Sequence, residues 1–367
     1  MGPSPNHNGS DMTVFLFLAG IGLLIFGAEL LIKGASRMAA ALGISPLVIG
    51  LTVVAFGTSS PELAVSIKSA FTGQAALALG NVIGSNIFNI LLILGLSALI
   101  VPLVVSQQLV RLDVPVMIIL SVLVLLLALD GNIGRLDGLF LIIGLAVYLI
   151  FLFHASRKET TAAQQETATP SAAPGRRSWL RNLVLACGGL AMLVLGSRWL
   201  VASAVIFAEY LGVSELIIGL TIVAAGTSLP EVVTSVVAAR RGERDIAVGN
   251  VVGSNILNIV AVLGITALIA PHGIAVAPSV IRFDIPVMIA VAFACLPIFF
   301  TDGVISRLEG MLLLGYYIVY TLYLALDATQ HDALPGFSAV MLEFVIPLTA
   351  LTLVIVFLQE VRKRRRG

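Results

Sequence analysis

Glu62 and Glu231 each close a nearly identical motif inside a long apolar stretch: Gly57-Thr58-Ser59-Ser60-Pro61-Glu62 and Gly226-Thr227-Ser228-Leu229-Pro230-Glu231. A charged side chain at mid-bilayer depth costs at least about 2.5–3.5 kcal/mol on insertion scales. No lysine or arginine occupies the middle of an apolar run to pair with either glutamate. A bound cation or a proton is the compensation that remains. Thr58, Ser59, Thr227 and Ser228 offer hydroxyl oxygens beside the two carboxylates. Pro61 and Pro230 cannot donate a backbone hydrogen bond, so each frees a carbonyl four residues back, near Gly57 and Gly226. Inside a membrane such a carbonyl is tolerated only beside protein, water or an ion.

A second matched pair, GNVIGSNIFN from Gly80 and GNVVGSNILN from Gly249, adds Asn81, Ser85, Asn86 and Asn89, with Asn250, Ser254, Asn255 and Asn258. Ser85 and Asn89 are four residues apart and share one helical face, as do Ser254 and Asn258. Asn81, Asn86, Asn250 and Asn255 suit a supporting or packing role, with Pro61 and Pro230. The inventory is oxygen only. Ca²⁺ takes about 6–8 oxygen ligands in flexible geometry, whereas Zn²⁺ would want imidazole or thiolate. Two carboxylates balance one divalent charge, and the same oxygens could hold Na⁺ in its place. Two ions that compete for one cage can be exchanged.

The rest of the chain must hold these residues in lipid. Of its 367 residues 59% are hydrophobic and 11% charged, with a mean hydropathy of +1.07. Soluble domains average about 25% charged residues, so a water-facing globule is excluded, and a net charge of +1 gives no footprint for nucleic acid. Cys187 and Cys295 lie in apolar runs and His7, His154, His272 and His331 at or beyond their ends, which gives neither a disulfide framework nor a thiolate metal site. A span needs about 20 apolar residues. That rule predicts eleven, near 13–32, 44–70, 74–100, 112–129, 136–154, 180–203, 213–239, 245–270, 283–300, 308–326 and 338–358. The first dozen residues hold no basic residue, so the first run reads as a retained span and not a secretory signal. With the N-terminus outside, 17 of the 21 Lys and Arg fall inside, the bias that sets orientation. The expected location is a prokaryotic plasma membrane, N-terminus out and C-terminus cytoplasmic.

The chain repeats itself. Residues 42–66 match 211–235 at 16 of 25 positions, and 80–100 match 249–269 at 14 of 21, both at an offset of 169. Weaker echoes pair Arg111-x-Asp113-x-Pro115 with Arg282-x-Asp284-x-Pro286; both aspartates read as helix starts with proline in the first turn. Each half holds five spans, and duplicating an odd number inverts the copy in the membrane, the plan of secondary transporters with sites at the midplane. The expected divisions are a first repeat at 13–154, a polar linker at 155–179, which cannot bury a core and reads as disordered and cytoplasmic, a second repeat at 180–326, and an additional span with a basic tail at 327–367. Glu29 reads as a structural or gating residue near Lys33, and Glu343 as facing protein or snorkelling.

These motifs resemble the paired alpha-repeats of the calcium/cation antiporter superfamily, in particular the prokaryotic sodium/calcium exchangers, and the resemblance covers the ten spans from about 13 to 326. It implies an all-α polytopic fold of ten helices in a 5+5 inverted repeat, here with one extra C-terminal transmembrane helix. It implies ion sites between spans 2, 3, 7 and 8, with Glu62, Glu231, Thr58, Thr227, Ser59, Ser228, Ser85, Ser254, Asn89 and Asn258 as ligands, joined by the carbonyls of Ala55 and Ala224. Spans 1 and 6 would slide as the gate, eased by Gly27, Gly34 and Gly196. The implied activity is Ca²⁺ exchange for Na⁺ across the bilayer by a monomer without a cofactor; a H⁺/Ca²⁺ antiporter of the same superfamily is the alternative. Members often carry aspartate where this chain has Asn258, which leaves two formal negative charges in the cage. The linker is too short for the calcium-sensing domains of animal relatives. An intramembrane enzyme is disfavoured, because neither Ser59 nor Ser228 has a histidine within its span and the one lysine, Lys68, lies nine residues from Ser59 at the far end of the first. A green fluorescent protein fused to the C-terminus is expected to fluoresce in whole cells. Activity of a periplasmic phosphatase fused at the same point would contradict the orientation.

Overall fold

A computed structural model describes residues 7–166, 176–211, 224–300, 303–349, 351 and 354. The chain forms long helices joined by short turns. They are α1 (His7–Leu42), α2 (Pro46–Thr58), α3 (Ser60–Phe71), α4 (Ala75–Ile100), α5 (Leu109–Ala128), α6 (Arg135–Glu166) and α7 (Arg176–Tyr210). After residues 212–223 follow α8 (Ala224–Gly226), α9 (Leu229–Arg240), α10 (Arg244–Ile269), α11 (Val280–Phe300), α12 (Arg307–Ala328) and α13 (Leu334–Thr349). Among the described residues eight helices are long and apolar enough to cross a membrane, or nine when α2 and α3, bent by 44° at their junction, count as one broken span. The expected spans 213–239 and 338–358 lie partly outside the described residues. α6 continues to Glu166, so the first part of the segment expected to be a disordered linker is helical; residues 167–175 lie outside the described residues.

The inverted duplication is visible in how the halves interlock. Four two-residue strands form two antiparallel ribbons, each drawing one strand from either half. β1 (Leu103–Val104) pairs with β4 (Val304–Ile305), and β2 (Asn132–Ile133) with β3 (Ile274–Ala275). Strands that pair at one membrane face must be separated by an even number of crossings. Between β1 and β4, α5, α6, α7, α10 and α11 lie among the described residues, and the stretch ending in α9, expected from sequence as the span 213–239, lies partly outside them.

α4 and α10 form the centre, with 72% and 83% of their most apolar stretches buried, against 6% for α12 at the rim. Their packing is close because backbones meet at glycine. A Cβ on Gly95 would lie 3.0 Å from Gly310 O, and one on Gly138 2.7 Å from Gly264 O. These are equivalent α4–α12 and α6–α10 crossings in the two halves. α13 is tied to α12 where the Tyr316 hydroxyl donates to Thr349 Oγ1 at 2.6 Å.

α1 and α7 cross along a glycine seam: Gly20 faces Gly196, and Gly27 faces Gly189. Of the glycines expected to ease sliding, Gly27 and Gly196 sit in this seam, while Gly34 faces the Asn182 carbonyl and Ala186. Sequence reading missed Gly20 and Gly189. A Cβ on Gly189 would lie 2.5 Å from both Gly27 O and Leu31 N, whereas one on Gly188 meets nothing within 4 Å. Overpacking a tight contact costs about 1–3 kcal/mol. Gly189→Val is therefore expected to lower the thermal unfolding midpoint of the detergent-solubilised protein, and Gly188→Val to leave it unchanged.

Both aspartates read from sequence as helix starts instead lie inside spans. Asp113 and Asp284 are the fifth residues of α5 and α11, at the end of π-helical turns over Leu109–Asp113 and Val280–Asp284. Pro115 and Pro286 each remove the hydrogen bond to the carbonyl four residues back, and the wider turn absorbs the loss instead of ending the helix. Asp113, fully buried, accepts from the Tyr148 hydroxyl at 3.1 Å and from Gln108 Nε2 at 3.2 Å. Asp284 takes the Tyr320 hydroxyl in the same way. Each half thus carries an Asp–Tyr tie between consecutive helices.

Candidate metal centre

The site is built on two helix breaks. In the first half the break falls at Ser59, whose φ of −78° and ψ of 6° are not helical, and α3 restarts with Pro61 in its first turn. In the second half it falls at Thr227 and Ser228, the latter with φ −89° and ψ 5°, and α9 restarts with Pro230. Glu62 and Glu231 sit in the first turns of these restarted helices. The unbonded N–H groups and the positive end of the helix dipole favour negative charge there.

The carbonyls freed by the prolines are not left open to an ion. The Ser60 hydroxyl donates to Gly57 O at 2.7 Å. In the second half Leu229 stands at the place of Ser60, and the Ser197 hydroxyl reaches in from α7 to donate to Gly226 O at 2.5 Å. Ala55 O, one of the carbonyls that the resemblance assigns to the ion, accepts from Ser59 N at 2.9 Å and Thr58 Oγ1 at 3.3 Å. Ala224 opens α8.

The two breaks are bound to each other. Ser59 Oγ donates to Glu231 Oε1 at 2.9 Å, and Ser228 Oγ donates to Glu62 Oε1 at 2.8 Å. Each half thereby orients the carboxylate of the other. Asn81 and Asn250 hold the backbones of the same glutamates. Asn81 Nδ2 donates to Glu62 O at 3.2 Å and to Ser66 Oγ at 3.1 Å; Asn250 Nδ2 donates to Glu231 O at 3.5 Å and to Ser235 Oγ at 2.9 Å. Asn250 Oδ1 also accepts from Thr58 Oγ1 at 3.1 Å.

Four asparagines close the cage where α4 crosses α10. Asn86 Nδ2 donates to Asn255 O, and Asn255 Nδ2 to Asn86 O, both at 3.2 Å. This reciprocal pair marks the pseudo-two-fold axis. Asn89 Nδ2 donates to Asn255 Oδ1 at 2.9 Å, and Asn258 Nδ2 to Asn86 Oδ1 at 3.1 Å and Ser85 Oγ at 3.0 Å. With their amide nitrogens engaged, Asn89 and Asn258 keep their oxygens free. Both begin π-helical turns, Asn89–Leu94 and Asn258–Leu263, a distortion frequent at functional positions.

The remaining acceptors are the informative ones. Glu62 and Glu231 are each 1% exposed. Glu62 Oε2, Glu231 Oε2, Asn89 Oδ1, Asn258 Oδ1 and Ser254 Oγ are buried without a hydrogen-bond partner, and Thr227 Oγ1 makes no bond of good geometry. Natives bury few unsatisfied polar groups, and each calls for an explanation. Here six sit on residues of the two matched motifs. Among the described residues no group of three or more His, Cys, Asp or Glu gathers anywhere, so any metal at this centre depends on neutral oxygens beside the two carboxylates.

The sequence-predicted set is thus gathered at two cross-linked breaks and one helix crossing. Glu29 departs from expectation: it pairs not with Lys33 but with Arg241, at 3.0 Å, because packing brings the end of α9 against α1. Asn255→Ala, which removes one of the reciprocal bonds and the partner of Asn89, is expected to cost about 0.6–1.7 kcal/mol, the range for interhelical hydrogen bonds in membranes, read as a lower unfolding midpoint. Leu136→Ala, at an exposed position outside the cage, is the control and is expected to leave the midpoint in place.

Comparison with known proteins agrees with this architecture. The family model described as sodium/calcium exchanger protein matches residues 12–154 and 181–326. The chain is 39% identical over 315 residues to the putative antiporter CaxA of Alkalimonas amylolytica, covering 84% of this chain and 97% of that one. It is 36% identical over 345 residues to the sodium/calcium exchanger MaX1 of Methanosarcina acetivorans, with the same coverage of 84% and 97%. Among solved structures, the sodium-calcium exchanger NCX_Mj soaked with zero Na⁺ and Ca²⁺ superposes with a TM-score of 0.73 at 31% identity, covering 85% of this chain and 98% of the other.

Proposed function

The chain belongs to the sodium/calcium exchanger protein family, and on that premise we propose that it exchanges Ca²⁺ for Na⁺ across a membrane, by alternating access to one cage at the bilayer midplane. The observation that carries this reading is the set of buried oxygens without partners, Glu62 Oε2 and Glu231 Oε2 foremost. Two carboxylates and several neutral oxygens, with no imidazole or thiolate, suit a hard cation. Glu62, Glu231, Thr58, Thr227, Ser59, Ser228, Ser85, Ser254, Asn89 and Asn258 hold the ions in this reading, with the carbonyls of Ala224 and of Ala55, the latter once the ion takes the place of its 3.3 Å bond from Thr58 Oγ1. Asn81, Asn86, Asn250 and Asn255 keep the cage in shape, and Pro61 and Pro230 break the helices that carry it.

Ca²⁺ and Na⁺ are the cargo, and coupling is competition. Ca²⁺ neutralises both glutamates at once; Na⁺ ions entering the same oxygens remove the reason for Ca²⁺ to stay. The names of the relatives MaX1 and NCX_Mj, both sodium/calcium exchangers, support this pair of ions. α1 and α7, the first helices of the repeats at 13–154 and 180–326, slide as the gate past the helices that carry the cage, with the linker at 155–179 and the last helix at 327–367 outside the transport unit. The protein acts as a monomer, N-terminus outside.

Purified protein in proteoliposomes is expected to take up ⁴⁵Ca²⁺ under an outward Na⁺ gradient, and Glu62→Gln with Glu231→Gln to reduce uptake to background. Uptake driven by an imposed pH gradient and indifferent to Na⁺ would replace Na⁺ by H⁺ as the counter-ion. Normal uptake in the double variant would overturn the cage. Binding is also legible in stability. Ca²⁺ at a hundred times its dissociation constant is expected to stabilise the wild type by about 2.7 kcal/mol, a shift the double variant should lose.

A further inference from the structure

The crossed pair α1 and α7 packs unequally on α9 and α3, the two helices that carry the glutamates. α9, which carries Glu231, packs against both α1 and α7, whereas α3, its counterpart carrying Glu62, has no comparable packing against either among the described residues. Two polar contacts reinforce this one-sided packing. Glu29 Oε2 on α1 and Arg241 Nη2, just past α9, form an ion pair at 3.0 Å. Ser197 on α7, buried, donates to Gly226 O at the break that leads into α9.

Neither contact can be made by the equivalent residues of the first half. At the repeat offset of 169, Glu29 corresponds to Arg198, Arg241 to Thr72, Ser197 to Ala28 and Gly226 to Gly57. Arg198 and Thr72 cannot form an ion pair. Ala28 has no hydroxyl, and Gly57 O already accepts from Ser60. The residues of the cage, by contrast, are the same in both halves: Thr, Ser and Glu of one motif, Ser and Asn of the other. The cage has no built-in preference for one side, and the contacts of the crossed pair do.

In an inverted repeat the opposite facing arises when one unit rocks against the other about a shared site. Accepting the antiport reading, that motion moves the crossed pair away from α9 and towards α3. It breaks both contacts and gains no equivalent of either. We propose that Glu29–Arg241 and Ser197–Gly226 form a latch that sets which facing this transporter rests in, encoded in the few positions where its halves differ. An equilibrium shifts only by the difference in free energy between its two states, and here the difference lies outside the ion site. Ser197 is a positioning residue in this account. It ties α7 to the loop that presents Thr227 and Ser228, and Ser60, a local cap, ties nothing.

The test reads facing directly. Spin labels at Ala40→Cys on α1 and Lys68→Cys on α3, in a Cys187→Ala, Cys295→Ala background in lipid nanodiscs without Ca²⁺, report their separation by double electron–electron resonance. The parent is expected to show one dominant distance. Glu29→Gln with Arg241→Gln is expected to raise a second distance, changing the population ratio by about twofold to fivefold, the range for a partly exposed ion pair. Ser197→Ala is expected to raise the same second distance. The exchanged pair Glu29→Arg with Arg241→Glu restores the parental ratio. Ser197→Ala with Leu229→Ser supplies a local cap to Gly226 without the tether and keeps the second distance populated. Unchanged distances in the neutralised pair and in Ser197→Ala, or a second distance that persists in the exchanged pair, overturn the latch; parental distances in Ser197→Ala with Leu229→Ser overturn the tether. Because the distances are read without transport, they fail or succeed separately from the ⁴⁵Ca²⁺ flux on which the antiport reading rests.

Discussion

The crossed bridges Ser59–Glu231 and Ser228–Glu62 are the interaction on which the rest of the molecule depends. Each buries a carboxylate in a protein meant for lipid and satisfies one of its oxygens from the other half of the chain. Neither bridge can form unless both spans break at the same depth and run in opposite senses. The prolines supply the breaks, and the odd number of spans expected in each repeat supplies the opposite sense. The second oxygen of each glutamate then has no partner. A carboxylate half-satisfied in a dry interior is costly. In the proposed reading that cost is the drive for binding a cation, and among the described residues no basic side chain forms an ion pair with either glutamate.

Around this centre the fold repeats most of its supporting devices twice. The ribbons β1–β4 and β2–β3, the glycine crossings at Gly95–Gly310 and Gly138–Gly264, the ties Asp113–Tyr148 and Asp284–Tyr320, and the reciprocal amides of Asn86 and Asn255 all come in equivalent pairs. Where the pairing fails, at Ser60 against Leu229 and Ala28 against Ser197, the difference falls on the contacts of α1 and α7, the helices expected to move.

Much of this was legible in the sequence because lipid is an unforgiving solvent. An apolar run of twenty residues has one use, and a glutamate inside it must be answered, so Glu62, Glu231 and their oxygen-bearing neighbours stood out at once. The offset of 169 then gave the inverted repeat. What stayed hidden depends on distances between helices that no spacing along the chain reveals. Glu29 has Lys33 four residues on, a natural helical partner, yet the end of α9 brings Arg241 closer. The proline-freed carbonyls at Gly57 and Gly226 were visible, but not that Ser60 and Ser197 would take them up in two different ways. Asp113 and Asp284, each beside a proline, carry the local signature of a helix start, and only a tyrosine on the following helix shows them to be ties inside a span. Helix ends were equally hidden: polar composition does not show that α6 runs on to Glu166.

The central claim is that the free oxygens of Glu62 and Glu231 meet on one metal ion. The most direct measurement is anomalous diffraction from crystals soaked in Sr²⁺, which scatters more strongly than Ca²⁺ and takes the same kind of ligand. A single anomalous peak between the two carboxylates, at about the 2.3–2.6 Å typical of oxygen ligands to Ca²⁺, is the result predicted, with the peak lost in Glu62→Gln, Glu231→Gln crystals soaked alike. Carboxylates that stay bonded only to protein at saturating Sr²⁺, with no peak between them, would contradict it.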